Sequence, residues 1–383
     1  MFESMFNPEV WAAVPFHFWS LCFFVFGSMV GSFLNVCIHR MPLGLSVVSP
    51  PSHCPHCKYS IPWYLNVPLL TWLWLRGKCA NCKAPISPRY FLVELLTGVL
   101  FLACWLALGN PANPIPSMPL ALAACVFTAG LVTATFIDFE HFIIPDEITI
   151  GGMVAGFLLS LAAPALHGPG TTFTGAILSS GLGIAFGSGL IYGVVWMGKL
   201  LFGRQHFRLE PGATITLTET ALKLPDQEIP YEDIFYRKGD NITIPHAGGT
   251  VFQREGESGE TSIPFEPADL TLTTEQLMIG ERTFDPNTIV RVECTATEVS
   301  ASREAMGFGD VKFMGAIGAF IGTMGVVFTL MASAVIGSIV AVTLIALRRR
   351  AASARIPFGP YLALAALIWL FFRGPIVKWF LPE

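Results

Sequence analysis

Charge is scarce in this chain: Asp, Glu, Lys and Arg make up 13% of its 383 residues, against about 25% in an ordinary soluble domain. With 53% hydrophobic residues, 31 Phe and a mean hydropathy of +0.59, that shortage places the chain among membrane proteins. A basic surface is also lacking. The formal net charge is −4 and no arginine-rich patch interleaves with aromatics, so a nucleic-acid partner is excluded. The nine cysteines lack the pattern of a disulfide scaffold, since four form two CxxC pairs and five are scattered. No cleavable signal peptide is expected, because the first apolar run starts near Trp11 without a basic flank and continues too far.

What the chain does have is a series of apolar runs. A helix needs about 20 apolar residues to cross the hydrocarbon core. Runs of that kind fall at about 13–37, 90–109, 119–137, 148–165, 173–201, 311–323, 325–347 and 357–372. They predict a polytopic α-helical membrane protein with about eight transmembrane helices. The pair 311–323 and 325–347, threaded by Gly315, Gly318, Gly322 and Gly325, also reads as one long kinked element. Lys and Arg mark the cytoplasmic side. Arg40, Lys58, Arg76, Lys78, Lys83 and Arg89 follow the first run, Lys199, Arg204 and Arg208 the fifth, and Arg348, Arg349, Arg350 and Arg355 the seventh. The connections 109–119 and 163–172 carry neither residue, and only Arg373 and Lys378 run against the bias. The N-terminus is therefore expected outside.

Five regions follow. Residues 1–40 hold the first transmembrane helix, and 41–88 form a cytoplasmic zinc-binding loop. Residues 89–202 hold helices two to five, and 203–305 form a polar, β-rich cytoplasmic insert. Residues 306–383 carry a GxGD segment and helices six to eight. Within the insert, Ala213–Phe235 aligns with Ala268–Val290 at an offset of 55, matching Leu217 with Leu272 and Leu222 with Leu277. Each copy reads as a hairpin followed by a short third strand or turn, and two copies packed together could close a small sheet. Chance similarity of alternating strands is the competing explanation. His206, His246 and Cys294 show no metal-ligand or catalytic spacing, so the insert reads as an accessory domain whose partner the sequence does not identify.

Cys54-Pro-His-Cys57 and Cys79-Ala-Asn-Cys82 are two knuckles 21 residues apart. Each aims two thiolates at one point, and together they supply the four sulfurs of a tetrahedral Zn²⁺ site. In a reducing cytoplasm metal is favoured over disulfides. Four sulfurs leave no open coordination position, so such a zinc is structural. His53 and His56 are nearby alternatives.

Carboxylates at membrane depth invite a functional reading. Asp138 ends the third run and Asp310 begins the sixth, which puts both acids at one face on different helices. Two close carboxylates share a proton, and one can then act as base on water while the other polarises a carbonyl. Gly307 and Gly309 would let an extended substrate backbone come near. Plainer roles exist: Asp138 as an interfacial carboxylate, Asp310 as a helix N-cap, and Lys312 either beside the pair or snorkelling outward. On charge alone Glu140 and Asp146 compete with Asp138.

Several stretches together resemble the type IV prepilin leader peptidases, membrane aspartic proteases of the GxGD type. They are Gly31-Ser-Phe-Leu-Asn-Val36 with Arg40, the loop Cys54–Glu94 with Asn66-Val-Pro68 and Ile86-Ser-Pro-Arg-Tyr90, Asp138-x6-Pro145-Asp146, and Gly307-x-Gly-Asp310. The resemblance implies Asp138 and Asp310 as the catalytic pair, with Asp146, Gly307, Gly309 and Lys312 in the supporting motifs. It also implies cleavage of prepilin or type II secretion pseudopilin leaders at the cytoplasmic face of a bacterial inner membrane. N-methylation of the new terminus with S-adenosylmethionine comes with the resemblance alone, since no glycine-rich nucleotide fingerprint is present. The long insert departs from the family pattern. Competing expectations are a presenilin-like intramembrane protease, which lacks the two-CxxC loop, and a zinc-dependent scaffold or transporter. A transporter would place acids at mid-membrane and often show inverted repeats.

Overall fold

A computed structural model describes residues 14–202, 204–231, 234–235, 239–255, 259–302, 307–347 and 356–380. Trp11, the insert bounds at 203 and 305, and the arginines at 348–350 and 355 lie outside the described residues. The chain divides into two compact units, Met1–Tyr192 with Phe308–Glu383, and Gly193–Gly307.

The first unit is helical because its apolar runs are long and their ends are well specified. Helix α1 spans Phe16–Arg40, and a short α2 spans Leu70–Trp74. Helix α3 (Pro88–Leu108) opens with Ser87 accepting the Arg89 N–H and with proline at its first position, where no N–H is needed. Proline likewise opens α4 (Pro114–His141). Helix α5 (Asp146–Ala162) places Asp146 and Glu147 in its first turn, where the helix dipole favours acids. Helices α6 (Phe173–Phe202), α7 (Phe308–Ala346) and α8 (Gly359–Phe380) complete the set. Among the described residues, α1, α3, α4, α6, α7 and α8 are long and apolar enough to cross a membrane, and α5, at 17 residues, is shorter. A polytopic membrane protein with a four-cysteine cluster and a separate β-sheet region fits this architecture.

Helix α7 is not one straight rod. At 39 residues it would reach about 58 Å, nearly twice a hydrocarbon core of about 30 Å. It breaks at Gly322, whose φ of 68° and ψ of −177° are not helical. A Cβ placed on Gly318 would lie 3.1 Å from Val326 Cγ2, whereas eight residues of straight helix rise about 12 Å. The chain therefore turns sharply there, and glycine supplies the positive φ.

Packing joins α1 to α3, α5 to α7, and α8 to both α7 and α4. Trp105 of α3 stacks between Phe16 and Phe23 of α1, with ring centroids 4.9 and 4.8 Å away. Nearer the other end of these helices, Leu34, Ile38, Val93, Val132 and Ile137 bury one another.

The second unit is a sheet with the order β4-β3-β2-β9-β5-β6-β7-β8, while β10 pairs with β1 and β5. Its strands are β1 (Arg204–Arg208), β2 (Thr214–Thr218), β3 (Ala221–Leu224), β4 (Gln227–Pro230), β5 (Asn241–Glu255), β6 (Gly259–Thr273), β7 (Leu277–Ile279), β8 (Arg282–Phe284), β9 (Ile289–Thr295) and β10 (Glu298–Ser302). The two copies seen in the sequence pair identically. Leu217 faces Leu222 and Leu222 faces Ile229, as Leu272 faces Leu277 and Leu277 faces Phe284. A cavity of about 380 Å³ opens between them, lined from equivalent positions such as Leu217 and Leu272 or Thr218 and Thr273. The residues without assigned chemistry remain unremarkable in this unit. His206 pairs with exposed Glu298, and burial pushes the Cys294 thiol up to about 12, which leaves it inert.

Candidate active site and metal-binding loop

The two cysteine knuckles have the same backbone path. Cys54 N–H bonds to the Tyr59 carbonyl and Lys58 N–H to the Cys54 carbonyl. Cys79 and Ala84, and Lys83 and Cys79, repeat both bonds. Lys58 and Lys83 both take positive φ, 57° and 60°, at the turn of each knuckle. The fold thereby brings the four thiols together, with all four sulfurs within 4.8 Å of one another and the Cys54–Cys82 and Cys57–Cys79 pairs 3.8 and 3.9 Å apart. A tetrahedron of sulfurs about 2.3 Å from a central zinc has edges of about 3.8 Å. The donor set and its spacing fit that ion.

The charge balance points the same way. The Tyr59 amide holds the Cys57 thiol down to about 6, and the amides of Cys82 and Asn81 lower Cys79. The Ala84 amide pulls on Cys82 as well, but desolvation and the three neighbouring sulfurs outweigh it and raise that thiol to about 11. Four thiolates repel unless a cation sits among them.

Asp138 lies in the last turn of α4 and is buried. Its Oδ2 accepts the backbone N–H of Gly359 at 2.9 Å. That N–H begins α8, so it has no partner within its own helix. Asp310 is buried in the first turn of α7, two residues inside the helix start rather than at the N-cap. Ile144 lies near glycines beside both acids. A Cβ on Gly359 would lie 3.1 Å from Ile144 Cδ1, and one on Gly309 would lie 3.5 Å from Ile144 N. Buried Ile144 thus sits between Gly309, the residue before Asp310, and Gly359, whose N–H Asp138 accepts. Gly307 is exposed, one residue before the start of α7.

The competing acids are committed elsewhere. Glu140 forms an ion pair with Arg89. Asp146 is 59% exposed and pairs with Lys312 at 2.7 Å. Lys312, whose ammonium also lies 5.4 Å from the Phe308 ring centroid, has Asp146 as its partner. Sequence reasoning missed Gly359 and Ile144. A glycine between Phe358 and Pro360, at the start of the last apolar run, was the available signal for the first.

A mostly apolar cavity of about 300 Å³ lies between α1, α4, α5 and α7, lined among others by Leu34, Cys37, Thr133, Ile148, Phe313 and Phe320. Gly130 and Gly151, also on its wall, have open space where a side chain would stand.

Comparison with known proteins adds a family. The model of the bacterial peptidase A24 N-terminal domain matches residues 25–108, and that of the type IV leader peptidase family matches residues 289–342. The prepilin leader peptidase/N-methyltransferase of Aeromonas hydrophila is 28% identical over 402 aligned residues, which cover 98% of both chains. The protein of the same name from Klebsiella pneumoniae is 34% identical over 204 residues, covering 52% of this chain and 82% of the relative. This chain belongs to the type IV leader peptidase family. A Myxococcus xanthus relative is 48% identical over 137 residues, which are 36% of this chain and 39% of its own. No solved structure matches the chain. The leader peptidase match contains Asp310 and the N-terminal match contains all four cysteines, whereas Asp138 falls between the two.

Proposed function

We propose that this protein is a membrane aspartic endopeptidase that removes the leader from prepilins or type II secretion pseudopilins, then N-methylates the new terminus. The observation that carries the reading is the end-to-end alignment of this chain with a prepilin leader peptidase/N-methyltransferase. It is supported by two buried aspartates on different helices, Asp138 bonded to Gly359 and Asp310 next to Gly309, with Ile144 near both glycines.

In this reading Asp138 and Asp310 hold one proton between them, because two carboxylates in an apolar setting cannot both ionise cheaply. The ionised member takes a proton from water as that water attacks the scissile carbonyl. The protonated member donates a hydrogen bond to the developing oxyanion, and the leaving amine then takes up a proton. The apolar cavity supports a substrate whose cleavage site precedes an apolar helix. Residues of that helix would lie against Phe313 and Thr133, with the leader at the carboxylates.

We place the chain in a bacterial inner membrane with about eight crossings, the turn at Gly322 dividing α7 into two passes. The Lys and Arg distribution supports a cytoplasmic cysteine loop and site, with the N-terminus outside. The four cysteines would hold a structural zinc that fixes the loop. Methyl transfer needs a donor such as S-adenosylmethionine, and its support is the name shared by the relatives. Among the described residues no glycine-rich loop marks a donor site.

The test is cleavage of a prepilin by the purified protein in detergent, followed by mass spectrometry. Asp138→Asn and Asp310→Asn should each lower the rate by about 10²–10⁴-fold, while adding S-adenosylmethionine to the native enzyme should add about 14 Da to the product. Either variant cleaving at an undiminished rate would overturn the assignment.

A further inference from the structure

The cysteine loop exposes large apolar side chains. Trp63 is 84% and Trp74 87% exposed, with Leu70 at 65% and Leu73 at 54%. Such a cluster on a water-facing loop marks a contact surface, and the depth of the loop indicates what covers it.

Two contacts set that depth. Leu69 donates its N–H to Glu94 Oε2 at 2.8 Å, and the Trp72 ring lies 5.1 Å from that of Phe91. Measured from Pro88, the start of α3, Phe91 is about 4.5 Å and Glu94 about 9 Å along the axis. With 21 residues, α3 is about 32 Å long, which roughly equals the hydrocarbon thickness and leaves little of it to spare. Its first turns therefore lie at the boundary between headgroups and acyl chains, and the Leu69–Trp74 turn packed on them lies there too. Arg89, paired with Glu140 near the end of α4, marks the polar edge. Glu94 fits the same picture. It is a buried carboxylate on a spanning helix, and it holds the N–H of Leu69, the N-cap residue just before α2, whose φ is 63°.

We infer that the Leu70–Trp74 turn is an interfacial anchor that inserts Leu70, Leu73 and Trp74 into the lipid leaflet. Trp63 and Tyr64 lie at headgroup level, where amphipathic aromatic rings are favoured. Lys58, Arg76 and Lys78, on the same loop, meet anionic headgroups. The inference rests on α3 spanning the bilayer and is independent of the peptidase reading.

The full chain tests it when a benzophenone amino acid replaces Leu73, Trp74 or Lys83 in turn. Each variant is reconstituted in vesicles of phosphatidylethanolamine and phosphatidylglycerol, irradiated, and analysed by mass. Lipid adducts should form at positions 73 and 74 roughly ten-fold more than at 83, on the second knuckle. Bound zinc, measured on each variant, checks that the loop is folded, and position 73 serves if the change at 74 costs the metal. Equal lipid yields at all three positions would overturn the inference, as would adducts at 73 and 74 to a second chain or to an added prepilin. Because crosslinking needs no turnover, a protein that fails to cleave prepilin still answers the question.

Discussion

Gly359 has no room for a side chain, since a Cβ there would stand 2.6 Å from Asp138 Oδ2. Gly359→Ala should displace the carboxylate and lower prepilin cleavage by about 10²-fold, the usual cost of an ångström-scale misplacement at a reacting group, while a detergent melting curve stays near that of the native protein. Asp146→Asn should behave differently. It breaks a pair that is 28% and 59% exposed, and such pairs contribute about 0–1 kcal/mol, so cleavage should remain within a few-fold. A loss as deep as that of Asp138→Asn would move the catalytic role to Asp146. Composition and position made acids in the 138–146 segment visible as candidates but left three of them equivalent. What separates them is the set of partners, Arg89 for Glu140 and Lys312 for Asp146. Pairings across that much chain leave no local pattern to read.

At the level of single elements, the cysteine loop was the most legible part of the chain, because CxxC spacing directly encodes a four-sulfur geometry. The loop's attachment to α3 through Glu94 and Phe91 was not legible, since no local spacing ties either residue to Leu69 or Trp72. The purified protein should carry about one zinc per chain, lose it with Cys54→Ser or Cys79→Ser, and become more sensitive to protease between residues 41 and 88 when stripped by a chelator. Native protein lacking zinc yet resisting protease there would remove the metal from the loop's stability.

The connection between α5 and α6 carries a pH signature. His167 is buried with its Nε2 2.8 Å from Ser160 Oγ, and burial, helped by the charge of Arg373, holds its pKa down to about 4. An unfolded imidazole binds its proton near pH 6.5, so stability should fall as pH drops below about 6.5 and level off below about 4. His167→Gln should flatten that slope in detergent unfolding, and an unchanged slope would exclude His167 as its source. Hydropathy located the apolar runs well but left the turn at Gly322 open, because a glycine inside an apolar helix reads equally as a packing contact.

Across the whole molecule, the β unit is the part most separable from the rest. The alternating pattern made its repeat readable, since both copies bury the same positions, but the long β5–β6 hairpin that joins them had no such signature. Its first and last strands pair antiparallel, with Arg204 opposite Ser302, so the chain enters and leaves at points about 5 Å apart. The K. pneumoniae relative is matched over 82% of its length by 52% of this chain, which makes it the shorter protein. Replacing residues 203–305 by a short flexible linker should therefore leave a membrane-inserted protein with its zinc, cleaving prepilin within about ten-fold of the native rate. Aggregation of that variant, with loss of metal, would show that the helical unit depends on the sheet.

The sharp turn at Gly322 has a further consequence for the lipid around the site. It leaves the first part of α7 about 21 Å long and buried behind α5, which is itself only about 26 Å long, exposes Ile150, Val154 and Leu158, and is shorter than the acyl layer it would have to match. A bilayer meeting so low a wall must dimple or admit solvent. Either response carries water down towards Asp138 and Asp310 and shortens the climb for a hydrophobic helix presenting its end to them.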